Sequence, residues 1–386
     1  MTNFEERFDW KLFFTMCLFL AISCLALYSA QQSPQYNDNF MVKQIVWYIA
    51  GFTVIAGMLY FEPDFYKKIS WPLFIAGLVV LLVLMIAPAS IAPIVKGQKS
   101  WFIFPGLGSI QPSEFMKVAT ILLLANVVTE HNEKSRVKDL RNDLMLLGKI
   151  VGVTALPLLL IMQQPDLGTA LVFIAIMSGM IVISGVRWRV ILPIFGGIGA
   201  VGTTVIWMAI QFPQLLDQYL GVKPYQLGRI YAWLNPQQYS SSEGFQLIRA
   251  MRAIGSGQMY GKGFGEREVY LPEAQTDFIF SIIGEEYGFL GSCVVLLAFF
   301  LFIYRLTTIA SRANHKFSSY VMVGLICMVS FHVFQNIGMS IQLLPITGIP
   351  LPYISYGGSS VLAFLIAAGL AFTISFHHRT FMFGEN

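Results

Sequence analysis

Charge is what this sequence has least of: 12% of its 386 residues are Asp, Glu, Lys or Arg, 56% are hydrophobic, and the mean hydropathy is +0.65. A soluble domain carries charge at about a quarter of its positions. The composition therefore excludes an ordinary aqueous surface and makes the chain an integral membrane protein. A basic patch is missing too, because the net charge is only +4 and the Lys and Arg residues are dispersed among connections. That excludes a nucleic-acid partner. Cysteine is scarce, and Cys17, Cys24, Cys293 and Cys327 all fall inside apolar runs, where they act as small hydrophobes and foretell neither disulfide nor metal. The five histidines, His131, His315, His332, His377 and His378, lack ligand spacing with Cys or carboxylates. Internal repeats and low-complexity tracts are absent, which leaves one domain over residues 1–386. The first apolar run, Leu12 to Ala30, has no convincing small-residue cleavage site and reads as a retained span.

Abundant instead are apolar runs of membrane length, too continuous for the alternating pattern of an outer-membrane barrel. Lipid then leaves a helix bundle as the way to satisfy every backbone group. The expected fold is an all-α polytopic membrane protein with about ten transmembrane helices, near 12–30, 44–61, 71–89, 114–129, 144–162, 167–185, 190–212, 278–304, 318–340 and 359–376. A long ordered extracellular loop, about 211–276, separates helices 7 and 8. Lys67, Lys68, Lys134, Arg136, Lys138 and Arg141 lie in connections that share one side with those of Arg187, Arg189, Arg305, Arg312 and Lys316. Arg7, Lys11 and Arg379 join them, so the positive-inside rule places both termini in the cytoplasm. The long loop has basic residues of its own, but long loops translocate largely regardless of charge. Within it, Glu243 to Arg252 is amphipathic, with Phe245, Leu247, Ile248 and Met251 expected to rest on the bundle or membrane surface.

Polar chemistry collects on the external side. Glu114 and Lys117 stand three apart at the start of the fourth span and share a helix face. Helix capping and snorkelling explain them in part, but an ionisable pair at this depth is costly and favours a functional reading. Asp166 precedes Leu167-Gly168-Thr169 as an N-cap would, and capping is its stronger reading. Asp277, followed by Phe278-Ile279-Phe280, is open to two readings, an N-cap or a desolvated general base. Glu285 and Glu286 lie about two turns deeper, where helix-helix glue is the favoured role. Leu343 to Ser360 is too apolar for a free loop and too rich in Pro and Gly for a helix, so it reads as a re-entrant or bundle-packed element. Its Ser355 hydroxyl and Gly357 amide are candidates to hold a pyrophosphate or sugar.

These segments resemble the shape, elongation, division and sporulation (SEDS) family of bacterial polymerases typified by RodA and FtsW. The resemblance covers nearly the whole chain, through Lys96–Trp101, Gln111–Lys117, Gln164–Thr169, Gly228–Pro236, Gly261–Gly263, Pro272–Phe280, Gly284–Glu286 and Leu344–Ser359. It implies a peptidoglycan glycosyltransferase that polymerises lipid II on the outer face of the bacterial cytoplasmic membrane. Asp277 matches the family's essential aspartate; Glu114, Lys117 and Asp166 match cavity-lining polar positions; Trp101 and Arg229 fall in its external motifs. The sequence departs from the family in two places. Gln275 stands where His is common, and Gly265 to Tyr270 is shorter than in many members.

Making a β-1,4 link needs one base for the sugar hydroxyl and positive charge for the departing pyrophosphate. Lys117, Arg229, Lys262 or a divalent cation such as Mg or Mn would supply that charge, with no other cofactor required. Asn336-Ile337-Gly338-Met339 and Gly348-Ile349-Pro350-Leu351-Pro352 look like the RodA branch, where FtsW more often has Leu-Thr-Leu-Pro, so an elongation role is expected. The resemblance also implies a class B penicillin-binding transpeptidase as partner, alongside other elongasome or divisome membrane proteins. A lipid II flippase or transporter, and a pure scaffold, are the rival classes. The chain shows no inverted repeat and gathers its unusual residues on one face, against the first; a scaffold would have no need of buried carboxylates.

Overall fold

The computed structural model describes residues 4–32, 39–95, 97–104, 108–134, 139–211, 224–240 and 244–378. Lys96, Arg136, Lys138, Glu243 and Arg379, used above, lie outside the described residues. After a single turn, α1 (Phe4–Arg7), come α2 (Trp10–Gln31), α3 (Phe40–Met58) and α4 (Pro63–Ile86). A pair of short strands follows, β1 (Phe102–Phe104) and β2 (Gly108–Ile110), antiparallel with Phe102 opposite Ile110. Then come α5 (Pro112–Lys134), α6 (Leu140–Gln163), α7 (Leu167–Ile183) and α8 (Trp188–Gln211). The long loop contributes α9 (Pro224–Leu234) and α10 (Gly244–Ser256), and the chain closes with α11 (Ile279–Arg312), α12 (Lys316–Ser340) and α13 (Gly358–Phe376). Among the described residues, eight helices are long and apolar enough to cross a membrane, and Leu167–Ile183 is a shorter apolar one. The protein is an all-α polytopic membrane protein.

Side-chain caps start the helices where the sequence offers them. Asp9, Asn39, Asp139 and Asp166 accept from Leu12 N, Val42 N, Leu140 N and Thr169 N, each satisfying an amide that the first turn leaves free. Lys99 closes the other end of α4, its ammonium donating to the carbonyls of Met85 and Ala87 at 2.9 and 2.6 Å. At the centre stands α5, 89% of whose apolar window is buried. It packs against α4, α6, α7, α12 and α13, which is why polar residues at its head are enclosed.

Two findings revise the sequence picture. In α10 the buried stripe is Gly244, Leu247, Ala250 and Ala253, so small residues let the helix settle on α11 and α12, while Phe245, Ile248 and Met251 are only half-buried. Second, α11 is broken at Gly288, where φ is 63° and ψ −155°. Past the break, the amides of Phe289 and Leu290 donate to the loop carbonyls of Gln258 and Met259. Glu285 and Glu286 therefore sit before the break, at the level of the long loop: Glu285 joins α11 to the loop, and Glu286 joins it to Ser29 of α2, as helix-helix glue, and to Arg267 of the loop.

Candidate active site

Asp277, open from the sequence to a reading as N-cap or as base, stands one residue before the N-cap position of α11. The N-cap position of α11 is held by Phe278, and Asp277 is half-buried while Phe278, Ile279 and Phe280 are buried. The turn before it is wound tightly: the amides of Thr276, Asp277 and Phe278 all donate to the carbonyl of Glu273, itself at φ +54°. This backbone sets Asp277 at the head of α11.

Beneath Asp277 runs the non-helical segment 343–357, which is buried from Ile349 to Ser355 apart from a half-buried Pro350. A β-carbon on Gly348 would lie 3.4 Å from Asp277 Oδ2. Backbone buried at membrane depth must find partners inside the protein, and side chains from several helices provide them. Ser23 donates to Ile354 O, Tyr48 to Tyr353 O and Gln44 to Ser355 O. From α12, Gln335 donates to Pro345 O, and Asn336 to both Ile349 O and Asp277 O, each at 2.8 Å. The Ser355 hydroxyl donates to Thr276 O at 2.6 Å and accepts from Leu351 N. It staples this segment to the Asp277 turn.

The Glu114–Lys117 pair forms as its spacing predicts, at 2.8 Å, with both side chains almost wholly enclosed. The ammonium also reaches His332 Nε2 at 3.0 Å, beside the Phe364 ring at 5.5 Å. Asp166 caps α7 through Thr169 N and also accepts from the Thr169 hydroxyl and from Gln111 Nε2. Gln111 N in turn donates to Ser359 Oγ, so the N-termini of α5, α7 and α13 converge, the last capped by Gly357. The half-buried Trp101 follows Ser100 and Gln98, which bond to the carbonyls of Gln164 and Pro165 and tie that connection to the same cluster.

Of the loop cations, Arg229 is brought to the site and Lys262 is not. Arg229 donates to Ile346 O at 3.4 Å, and Trp233 next to it exchanges hydrogen bonds with Gln342. Lys262 instead pairs with Glu268 and Glu285 at 2.8 and 2.9 Å. The bond to Glu268, with Glu285 beside it, raises its pKa above the ordinary lysine value against an opposing effect of burial. Glu285 also accepts from the amides of Glu268 and Val269, and Glu286 accepts from the Ser29 hydroxyl and lies 3.7 Å from Arg267.

Among the described residues no three of His, Cys, Asp or Glu are grouped so as to hold a metal ion. Sequence reasoning missed Ser23, Gln44, Tyr48, His332 and Asn336. The four-residue spacing of His332 and Asn336, which places two polar side chains on one face of an apolar helix, was the signal available for the last two.

Comparison with known proteins gives this arrangement its context. The family model FTSW_RODA_SPOVE, described as cell cycle protein, matches residues 7–380. The chain is 33% identical to stage V sporulation protein E of Bacillus subtilis, over 98% of this chain and 100% of that one. It is 31% identical to the peptidoglycan glycosyltransferase RodA of Treponema pallidum, over 95% and 97%. A solved peptidoglycan synthase complex, reported for its coordination of polymerization and crosslinking, contains a chain superposing with a TM-score of 0.78 at 25% identity, over 96% of this chain and 98% of that one.

Proposed function

The chain belongs to the FtsW, RodA and SpoVE family of cell cycle proteins, and from that premise we propose that Asp277 is the general base with which it polymerises lipid II. It is a peptidoglycan glycosyltransferase of the membrane. The observation that carries the site assignment is the half-buried Asp277 at the head of α11, its Oδ2 against Gly348 of the segment to which Arg229 is also tied. Asp277 takes the proton from the sugar 4-hydroxyl as its oxygen bonds to the anomeric carbon of the second substrate. The bond from that carbon to the polyprenyl pyrophosphate breaks, and the pyrophosphate leaves with the electron pair. Arg229 and the positive ends of α5, α7 and α13 lie where negative charge develops.

Glu114 and Lys117 act from beneath: their enclosure makes them a fixed electrostatic floor rather than direct ligands. Asp166 orders the helix end it caps, Trp101 and Gly357 line the approach, and Ser355 positions the Asp277 turn. Lys262 holds the loop in place. The orientation puts this site outside the cytoplasmic membrane and both termini inside. The role proposed is cell elongation, with a class B penicillin-binding protein cross-linking the product. Purified protein incubated with lipid II, with and without such a partner, tests the reading: glycan strands are expected, and transport of intact lipid II without polymer would overturn it.

A further inference from the structure

The reaction just described makes no use of the imidazole of His332, though it is wholly buried on α12, in a setting where a polar side chain is retained only at cost. Both of its nitrogens are engaged. Nδ1 lies 3.2 Å from the carbonyl of Pro350, which can only accept, so Nδ1 carries the ring proton. Nε2 is then the acceptor, taking a hydrogen bond from the Lys117 ammonium at 3.0 Å. Phe364 packs edge-on to the imidazole, centroids 4.9 Å apart, and also flanks the ammonium. One helical turn further on, Asn336 holds the adjoining carbonyl of Ile349 and the carbonyl of Asp277. Two successive carbonyls of the 343–357 segment are thus gripped from one helix. One grip leads to Lys117 and Glu114, the other to Asp277.

We propose that His332 is a positioning residue for glycosyl transfer, an imidazole fixed as the Nδ1–H tautomer that sets the Glu114–Lys117 pair against the segment beneath Asp277. The inference rests on the reading of Asp277 as the base. His332→Gln can keep both functions, its amide oxygen accepting from Lys117 and its amide nitrogen donating to Pro350 O. His332→Phe keeps the ring volume and loses both. In polymerisation assays on purified protein, normalised to the folded fraction by thermal unfolding, the Phe variant is expected to lose at least about tenfold in kcat with KM little changed. Gln is expected to recover to within about threefold of the parent. His332→Asn, one carbon shorter than Gln, should fall short of it and answers the same question if the Phe variant fails to insert. Equal activity of Gln with Phe, or of Gln with Asn, would overturn the proposal, as would a loss that disappears on normalisation. Failure of the parent chain to polymerise, or an active Asp277→Asn protein, would instead overturn the reading of the site.

Discussion

Asp277→Asn separates two roles that a carboxylate at a helix head can play. Asparagine keeps the shape and the capping acceptor but cannot take a proton. Because the side-chain shape and acceptor are retained, little structural cost is expected, and the variant should insert and unfold thermally like the parent. Its polymerisation of lipid II should fall at least about a hundredfold, the usual scale for losing a general base. Substantial glycan synthesis by the well-folded variant would remove Asp277 from the chemistry. Lys262 poses the opposite question. Glu285, 2% exposed, depends on Lys262 for its ammonium partner, whereas Glu268 is 80% exposed and gains little from the pair. Lys262→Met should therefore lower the thermal midpoint, by on the order of 2 kcal/mol of stability, through an uncompensated carboxylate. A raised KM at unchanged stability would return Lys262 to the substrate.

The elements meet the site by close backbone approach, and Gly168 at the head of α7 is one such point. A β-carbon there would stand 2.6 Å from Ile349 Cγ2 and 2.7 Å from the carbonyl oxygen of Thr347. The second is main chain and cannot rotate away, so the segment under Asp277 would have to shift. Gly168→Ala should cost about 1–3 kcal/mol from overpacking and roughly tenfold or more in activity. Gly148, in α6 with nothing within 4 Å, is the control: Gly148→Ala should be neutral or stabilising. An equal loss in both variants would refute the packing argument. The spanning helices were legible in the sequence because they are apolar runs of membrane length, and the head of α7 because Asp166 caps it. The Glu114–Lys117 pair was legible because its geometry is local to one helix. His332 was not, since its partner Lys117 is 215 residues away and no periodicity reports such a meeting. The break at Gly288 escaped for a related reason: glycine in an apolar helix is common, and what forces the break is the loop carbonyls of Gln258 and Met259 taking the next two amides.

For the whole molecule, the contacts divide polar groups between two ends. At one, Asp9 accepts from Arg305 and Ser375, joining the beginnings of α2 and the last turns of α11 and α13, while Arg187 pairs with Asp143 across α6 and α8. At the other are the long loop, the 343–357 segment and the heads of α5, α7 and α13. The positive-inside rule counts Lys and Arg and gives acidic residues little weight, so the ion pairs at the first end do not diminish its pull toward the cytoplasm. Arg7, Lys67, Lys68, Arg189, Arg312 and Lys316 add to it. In a variant with the four native cysteines replaced, a reporter at the exposed Tyr260 should react with a membrane-impermeant maleimide applied outside intact cells. One at Ser311, exposed in the last turn of α11, should react only after permeabilisation. Lipid-linked sugar must be built into wall on the outer surface, so a carboxylate base serves this reaction only if Tyr260 and Asp277 share that side. Labelling of Ser311 and not Tyr260 from outside would invert the molecule and leave Asp277 facing the compartment where no glycan is assembled.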